Sequence, residues 1–124
     1  MKIERIRAWS AELAEGLGET VGRDLAEIRE GVNLGWLEAY RLWDGAAYMV
    51  TRHEGRTLTC CCYRGERVAE ALAWVLSRGP ALGFDCVRFH TSRRGLPRLL
   101  RDFAPVELET IYEIKGPAAA RAAA

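Results

Sequence analysis

Four cysteines and two histidines are the side chains of this 124-residue sequence suited to hold a metal or to cycle between thiol and disulfide. Cys60, Cys61 and Cys62 are consecutive, Cys86 stands alone, and His53 and His90 lie apart with no ligand spacing around them. No C-x-x-C occurs. Neighbours on an extended strand point to opposite faces, so the triplet is badly placed to pair within itself. The pattern reads as small, half-polar side chains packed in a buried strand, so no metal is expected, and a metal or thiol-redox site is the competing reading. The second feature is positive charge. Sixteen of the eighteen basic residues are arginine, and from Cys86 to Arg101 there are five of them and no acid: Arg88, Arg93, Arg94, Arg98 and Arg101. Such a patch can meet phosphates, nucleic acid included. The whole-chain charge of only +1, with acidic segments on either side, argues against a general polyanion binder.

The chain that positions these groups has the length of one domain, read here as residues 1–115 with an Ala-rich tail over 116–124. At this length roughly two-thirds of the extended chain's surface is buried on folding, so neither disulfide nor metal is needed to hold it together. An apolar fraction of 49% with 28% charged residues excludes a disordered segment. No window approaches eighteen uninterrupted apolar residues, and the opening Met-Lys-Ile-Glu-Arg-Ile-Arg carries charges where a signal peptide is apolar. A cytoplasmic protein without a membrane segment is expected.

Ile3, Ile6, Trp9, Leu13, Leu17, Val21, Leu25, Ile28 and Val32 recur in steps of three and four, which predicts helices over about 4–16 and 20–31. Residues 38–43, 46–52 and 57–63 predict an antiparallel meander, with Asp44-Gly45 at the first turn and the cysteine-rich strand in the sheet interior. A helix follows over 66–78, stopped by Gly79-Pro80. A strand over 84–89 is then reached by a helical crossover and should lie parallel to the third. A polar loop, a short helix over 97–103 and a last strand over 106–114 complete the order. Trp9 and Trp74 fall on apolar stripes and should pack in the core, while Trp36 falls at an edge, where it could mark a dimer contact.

At the junction of the third strand and the following helix stands Arg64-Gly65-Glu66-Arg67-Val68-Ala69. With the element order on either side, it resembles the Gcn5-related N-acetyltransferase (GNAT) superfamily, whose diphosphate-cradling loop reads Arg/Gln-x-x-Gly-x-Gly/Ala. Arg64 and Ala69 match the outer positions, and Arg67 stands where the central glycine would be. The resemblance covers roughly residues 36–115. The family's usual initial strand has only residues 1–5 to supply it. A loop of this kind aims backbone N–H groups and a helix N-terminus at the diphosphate of coenzyme A.

The resemblance implies an α/β (α+β) fold: a GNAT-like mixed sheet with two N-terminal helices, an antiparallel three-strand meander, helix, strand, short helix and strand. It implies acetyl-CoA as cofactor, held by Arg64, Gly65, Glu66, Arg67, Val68 and Ala69, with Arg93, Arg94 and Arg98 near the 3′-phosphate or an acidic substrate. Acyl transfer to an amine needs a general base and a general acid. The last helix lacks the family's tyrosine, and His90-Thr91-Ser92 stands where the family often has asparagine. Glu54, His90 and Tyr63 are the candidates to fill those roles. The alternative is a non-catalytic module of the same fold, similar to short GNAT-like proteins of tailed bacteriophages, acting in the host cytoplasm or virion as a structural or host-interaction protein. It would use the arginine patch and the aromatics of the meander on a protein partner, a second copy, or nucleic acid.

Overall fold

The computed structural model describes residues 2–89, 98, 100–106, 108 and 114. Five strands and three α-helices follow one another as β1 (Ile3–Ile6), α1 (Ala11–Leu17), α2 (Leu25–Leu34), β2 (Glu38–Leu42), β3 (Ala47–Glu54), β4 (Thr57–Gly65), α3 (Val68–Leu82) and β5 (Cys86–Phe89). The strands form one sheet in the order β1-β2-β3-β4-β5. All neighbours are antiparallel except β4 and β5, which run parallel because α3 carries the chain across between them. The result is a mixed α+β protein in which the meander and the parallel fourth pairing stand as the sequence predicts.

Both faces of the sheet are covered. On one, Leu13, Leu17, Ile28 and Val32 of α1 and α2 bury against Val50 and Cys62. On the other, Ala71 and Val75 of α3 bury against Met49, Leu58 and Phe84. Trp9 packs on the first core and Trp74 on the second, as their periodicity predicts, and Trp36 is about half exposed.

The helix boundaries differ from expectation at several points. Residues 3–6 form the edge strand β1 and not the start of a helix. Ile3 packs with the α3-side core and Ile6 with the α1/α2-side core, as alternate residues of a strand between two covered faces must. The helix begins only after Ser10, whose hydroxyl accepts the Leu13 N–H at 3.4 Å. A 3₁₀ stretch kinked at Gly22 then delays α2 to Leu25.

Helix α3 does not stop at Gly79-Pro80 but runs on to Leu82. Pro80 deprives only the Leu76 carbonyl of a donor, and Leu76 is exposed enough for water to replace it. Gly79 instead serves packing. The chain doubles back so closely that a Cβ there would lie 2.6 Å from the Phe84 carbonyl, and the N–H groups of Gly83 and Phe84 both donate to the Gly79 carbonyl. Phe84 is thereby buried to 2% exposure at the entry to β5.

At the outer edge α1 is fastened to the sheet by charge. Arg41 of β2 donates from Nε and Nη2 to the two carboxylate oxygens of Glu12, each at 2.5 Å, and from Nη1 to Glu4 of β1 at 3.0 Å. The Tyr48 hydroxyl donates to the same Glu12 at 2.7 Å. These donors, Arg41 first, lower the Glu12 carboxyl to a pKa of about 2.

Beyond β5, Arg98 is helical and Arg101–Phe103 form a 3₁₀ turn within the span predicted as a short helix. Of the strand expected over 106–114, the described residues Val106, Leu108 and Ile114 are exposed and not in a strand. The rest of that segment and the tail lie outside the described residues. Among the described residues, no helix is long and apolar enough to cross a membrane.

Candidate functional site

Among the described residues the parallel ladder of β4 and β5 has four pairs, from Thr57–Cys86 to Cys60–Phe89. β4 itself continues past Cys60 through Cys61–Gly65. The β3–β4 ladder is irregular at the same point. The β3–β4 register places Val50 opposite Cys62 but Thr51 opposite Cys60, so Cys61 is an extra residue on β4. A bulge of this kind bends its strand and breaks the alternation of faces. Cys61 and Cys62 accordingly both pack toward α1 and α2, while Cys60 and Tyr63 pack toward α3. The expectation that all three cysteines alternate fails at this bulge.

A cavity of about 510 Å³ lies along this half of β4. It reaches from Glu19 and Thr20 beside α1, past Cys61, to the underside of α3 at Val68, Ala71 and Val75. Burial pushes the Cys60 and Cys62 thiols up to about 12 and raises Cys61 as well, which disfavours the thiolate form of all three. All four cysteines are unpaired by disulfide, and among the described residues no group of His, Cys, Asp and Glu is placed to hold a metal.

One end of the cavity is the junction that the sequence singles out. Gly65 has φ +128°, and a Cβ there would lie 2.3 Å from the Ala46 carbonyl oxygen, so the chain can pass the β2–β3 turn only as glycine. The next N–H, of Glu66, donates to that carbonyl at 3.3 Å. Arg67 has φ +59° and ψ +38°, a left-handed backbone at the position of the family's central glycine. Its guanidinium does not lie over the helix start but stacks 5.2 Å from the ring centroid of Trp43. Helix α3 begins without a side-chain cap. Its first bond runs from the Ala71 N–H to the Arg67 carbonyl, which leaves the N–H groups of Val68, Ala69 and Glu70 with no acceptor in the helix.

The remaining expected residues are dispersed. Arg64 lines the cavity and donates to the Glu15 carbonyl at 3.1 Å, in the last turn of α1. Tyr63 lines the cavity, half-buried, and its hydroxyl donates to the Glu66 carbonyl at 2.5 Å. Burial raises its phenol well above the ordinary tyrosine range. Glu54 is exposed at the far end of β3, paired with Arg52. It stands level with Thr57, six residues of β4 from Tyr63, or about 20 Å at the rise of a strand. Glu54 and Tyr63 therefore do not converge. His90, Arg93 and Arg94 lie outside the described residues, while Arg88, Arg98 and Arg101 are exposed.

Two participants had no signal in the sequence. Trp43 holds the Arg67 side chain, which its position in a meander turn does not suggest. Thr51, on the cavity wall, is buried in the sheet interior, with Glu38 of β2 on one side and Cys60 of β4 on the other. Models of known protein families give no match to the chain, and neither do curated proteins. The family resemblance thus rests on element order and on the residues from Arg64 to Ala69.

Proposed function

We propose that the protein binds the acyl thioester of coenzyme A in the cavity along the second half of β4, and transfers the acyl group to an amine as Gcn5-related N-acetyltransferases do. The observation that supports this most is that cavity, bounded at one end by Gly65 and the uncapped start of α3. In this reading the N–H groups of Val68, Ala69 and Glu70 receive the diphosphate, at the positive end of the helix dipole. The thioester supplies an activated carbonyl. On this reading Tyr63, kept protonated by burial, gives the proton from the cavity wall, its hydroxyl exchanging the Glu66 carbonyl for the leaving thiolate.

The test is a thermal melt of the full chain with and without acetyl-CoA and CoA. Ligand at a hundred times its dissociation constant should add about 2.7 kcal/mol, a rise of roughly 10 °C for a domain of this size. Ala69→Asp places a carboxylate among the N–H groups. An acid in the first turn favours the helix, so this variant should fold and lose the shift. Absence of a shift at millimolar CoA in the wild type would sink the reading. Amine-dependent release of the CoA thiol separates transfer from binding alone.

A second reading, a non-catalytic module of the same fold meeting a protein or nucleic acid through its arginines, is favoured by two observations. Arg64 and Arg67 are engaged within the fold, and Glu54 stands far from Tyr63. Retention on heparin that weakens steeply with salt, with no response to CoA, would select it.

A further inference from the structure

The cavity is longer and more apolar than a two-carbon acyl group requires. It extends from Gly65 and Val68 back to Leu58 and Val87 in the parallel ladder. That is seven residues of β4, or about 23 Å at the rise of a strand. Its 510 Å³ compares with the ~150 Å³ that suffices for benzene in an apolar cavity. Away from the loop its walls are Leu58, Val75, Val87, Phe89 and Leu100.

Among these apolar groups one polar atom stands out. Thr51 is 1% exposed, lines the cavity, and its Oγ1, though beside the Tyr40 hydroxyl, makes no hydrogen bond of ordinary geometry. The Oγ1 of Thr59 is also buried without a partner, but Thr59 does not line the cavity. A buried hydroxyl left unpaired is destabilising, and native proteins rarely keep one without a use. Opposite Cys60 and facing the space under α3, Thr51 can reach a partner in the cavity.

We infer that the end of the cavity away from the loop is a subsite for an aliphatic acyl chain of medium length, with the Thr51 hydroxyl hydrogen-bonding the carbonyl at its head. This rests on the coenzyme A reading for the rest of the ligand. The chain and its carbonyl could equally arrive as a free carboxylic acid, so the test includes both sources.

The experiment is calorimetric titration of the full chain with CoA, acetyl-, butanoyl-, hexanoyl- and octanoyl-CoA, and with free octanoate. The expected result is affinity rising roughly fourfold for each added methylene once the chain passes acetyl. Equal affinity for CoA and every thioester would overturn the subsite while leaving the coenzyme A reading intact. Binding of octanoate without any thioester would uphold the subsite and sink the coenzyme A reading. Binding of none would sink both. Thr51→Val keeps the shape and removes the hydroxyl. It should leave the melting temperature of the unliganded protein equal or higher, and weaken octanoyl-CoA about tenfold. A lower melting temperature without ligand would show that Thr51 serves the fold, and unchanged affinity that it does not touch the ligand. Either overturns its assignment.

Discussion

Among the described residues, Glu12 carries the clearest pH signature. Its carboxyl has a pKa of about 2 in the folded chain against an ordinary value of 4.5, because Arg41 and Tyr48 donate to the ionised form. The folded state therefore binds this proton less readily than the unfolded one. The stability that follows is fully present above about pH 4.5 and is lost as pH falls through about 2. Glu12→Gln should lower the melting temperature at pH 7 by roughly 2–5 °C, a modest figure because both partners are about one-third exposed and screened by solvent. The gap between wild type and variant should narrow below pH 4.5 and close near pH 2, and added salt should shrink it at neutral pH. A gap that stays constant across this range would show that Glu12 acts by packing and not by charge.

The strand–helix junction behaves as one element, and its two unusual backbones predict opposite responses. Gly65→Ala drives a Cβ into the Ala46 carbonyl at a left-handed φ and should cost about 2–5 kcal/mol. Arg67→Gly relieves about 1–2 kcal/mol of left-handed strain. It gives up a Trp43 stack of about 0.5–1 kcal/mol and adds a similar chain-entropy cost. Its melting temperature should therefore stay within a few degrees of wild type, while its response to CoA grows if the loop cradles a diphosphate. A loss of 10 °C or more would mean that the Trp43 stack holds the junction together. The same junction marks how far the sequence can be read. Alternation and the Asp44-Gly45 turn reveal the meander, and the need for a crossover reveals the parallel pairing of β5. Ile3 and Ile6 misled because a three-residue step fits a helix stripe as well as a strand with both faces buried. Gly79-Pro80 misled because a near-terminal proline loses only one bond, and the glycine answers to the returning Phe84. The cleft itself was only partly legible. Its loop residues are visible as a motif, but the extra residue at Cys61, the burial of Thr51 and the Trp43–Arg67 stack arise from register and tertiary contact, which no local pattern encodes.

At the scale of the molecule, the sheet joins partners of very different sequence separation. The β3–β4 hairpin closes through the turn at Gly55-Arg56, and β2 pairs with β3 across another short turn. By contrast Ile3 meets Leu42 and Ile6 meets Ala39, with both N-terminal helices in between. Loop closure makes the local pairings the quicker ones to form. Pulse-labelled hydrogen exchange during refolding should find the amides of β3 and β4 protected before those of β1. Simultaneous protection of all five strands would contradict this order. The two helices between β1 and β2 give this pairing a particular history on the ribosome. At synthesis rates of about 5–20 residues per second, β1 emerges seconds before the strand it pairs with. In that interval Ile3 and Ile6 are exposed to solvent and to whatever attends a nascent chain, so a strand made before both helices is among the last to find its place.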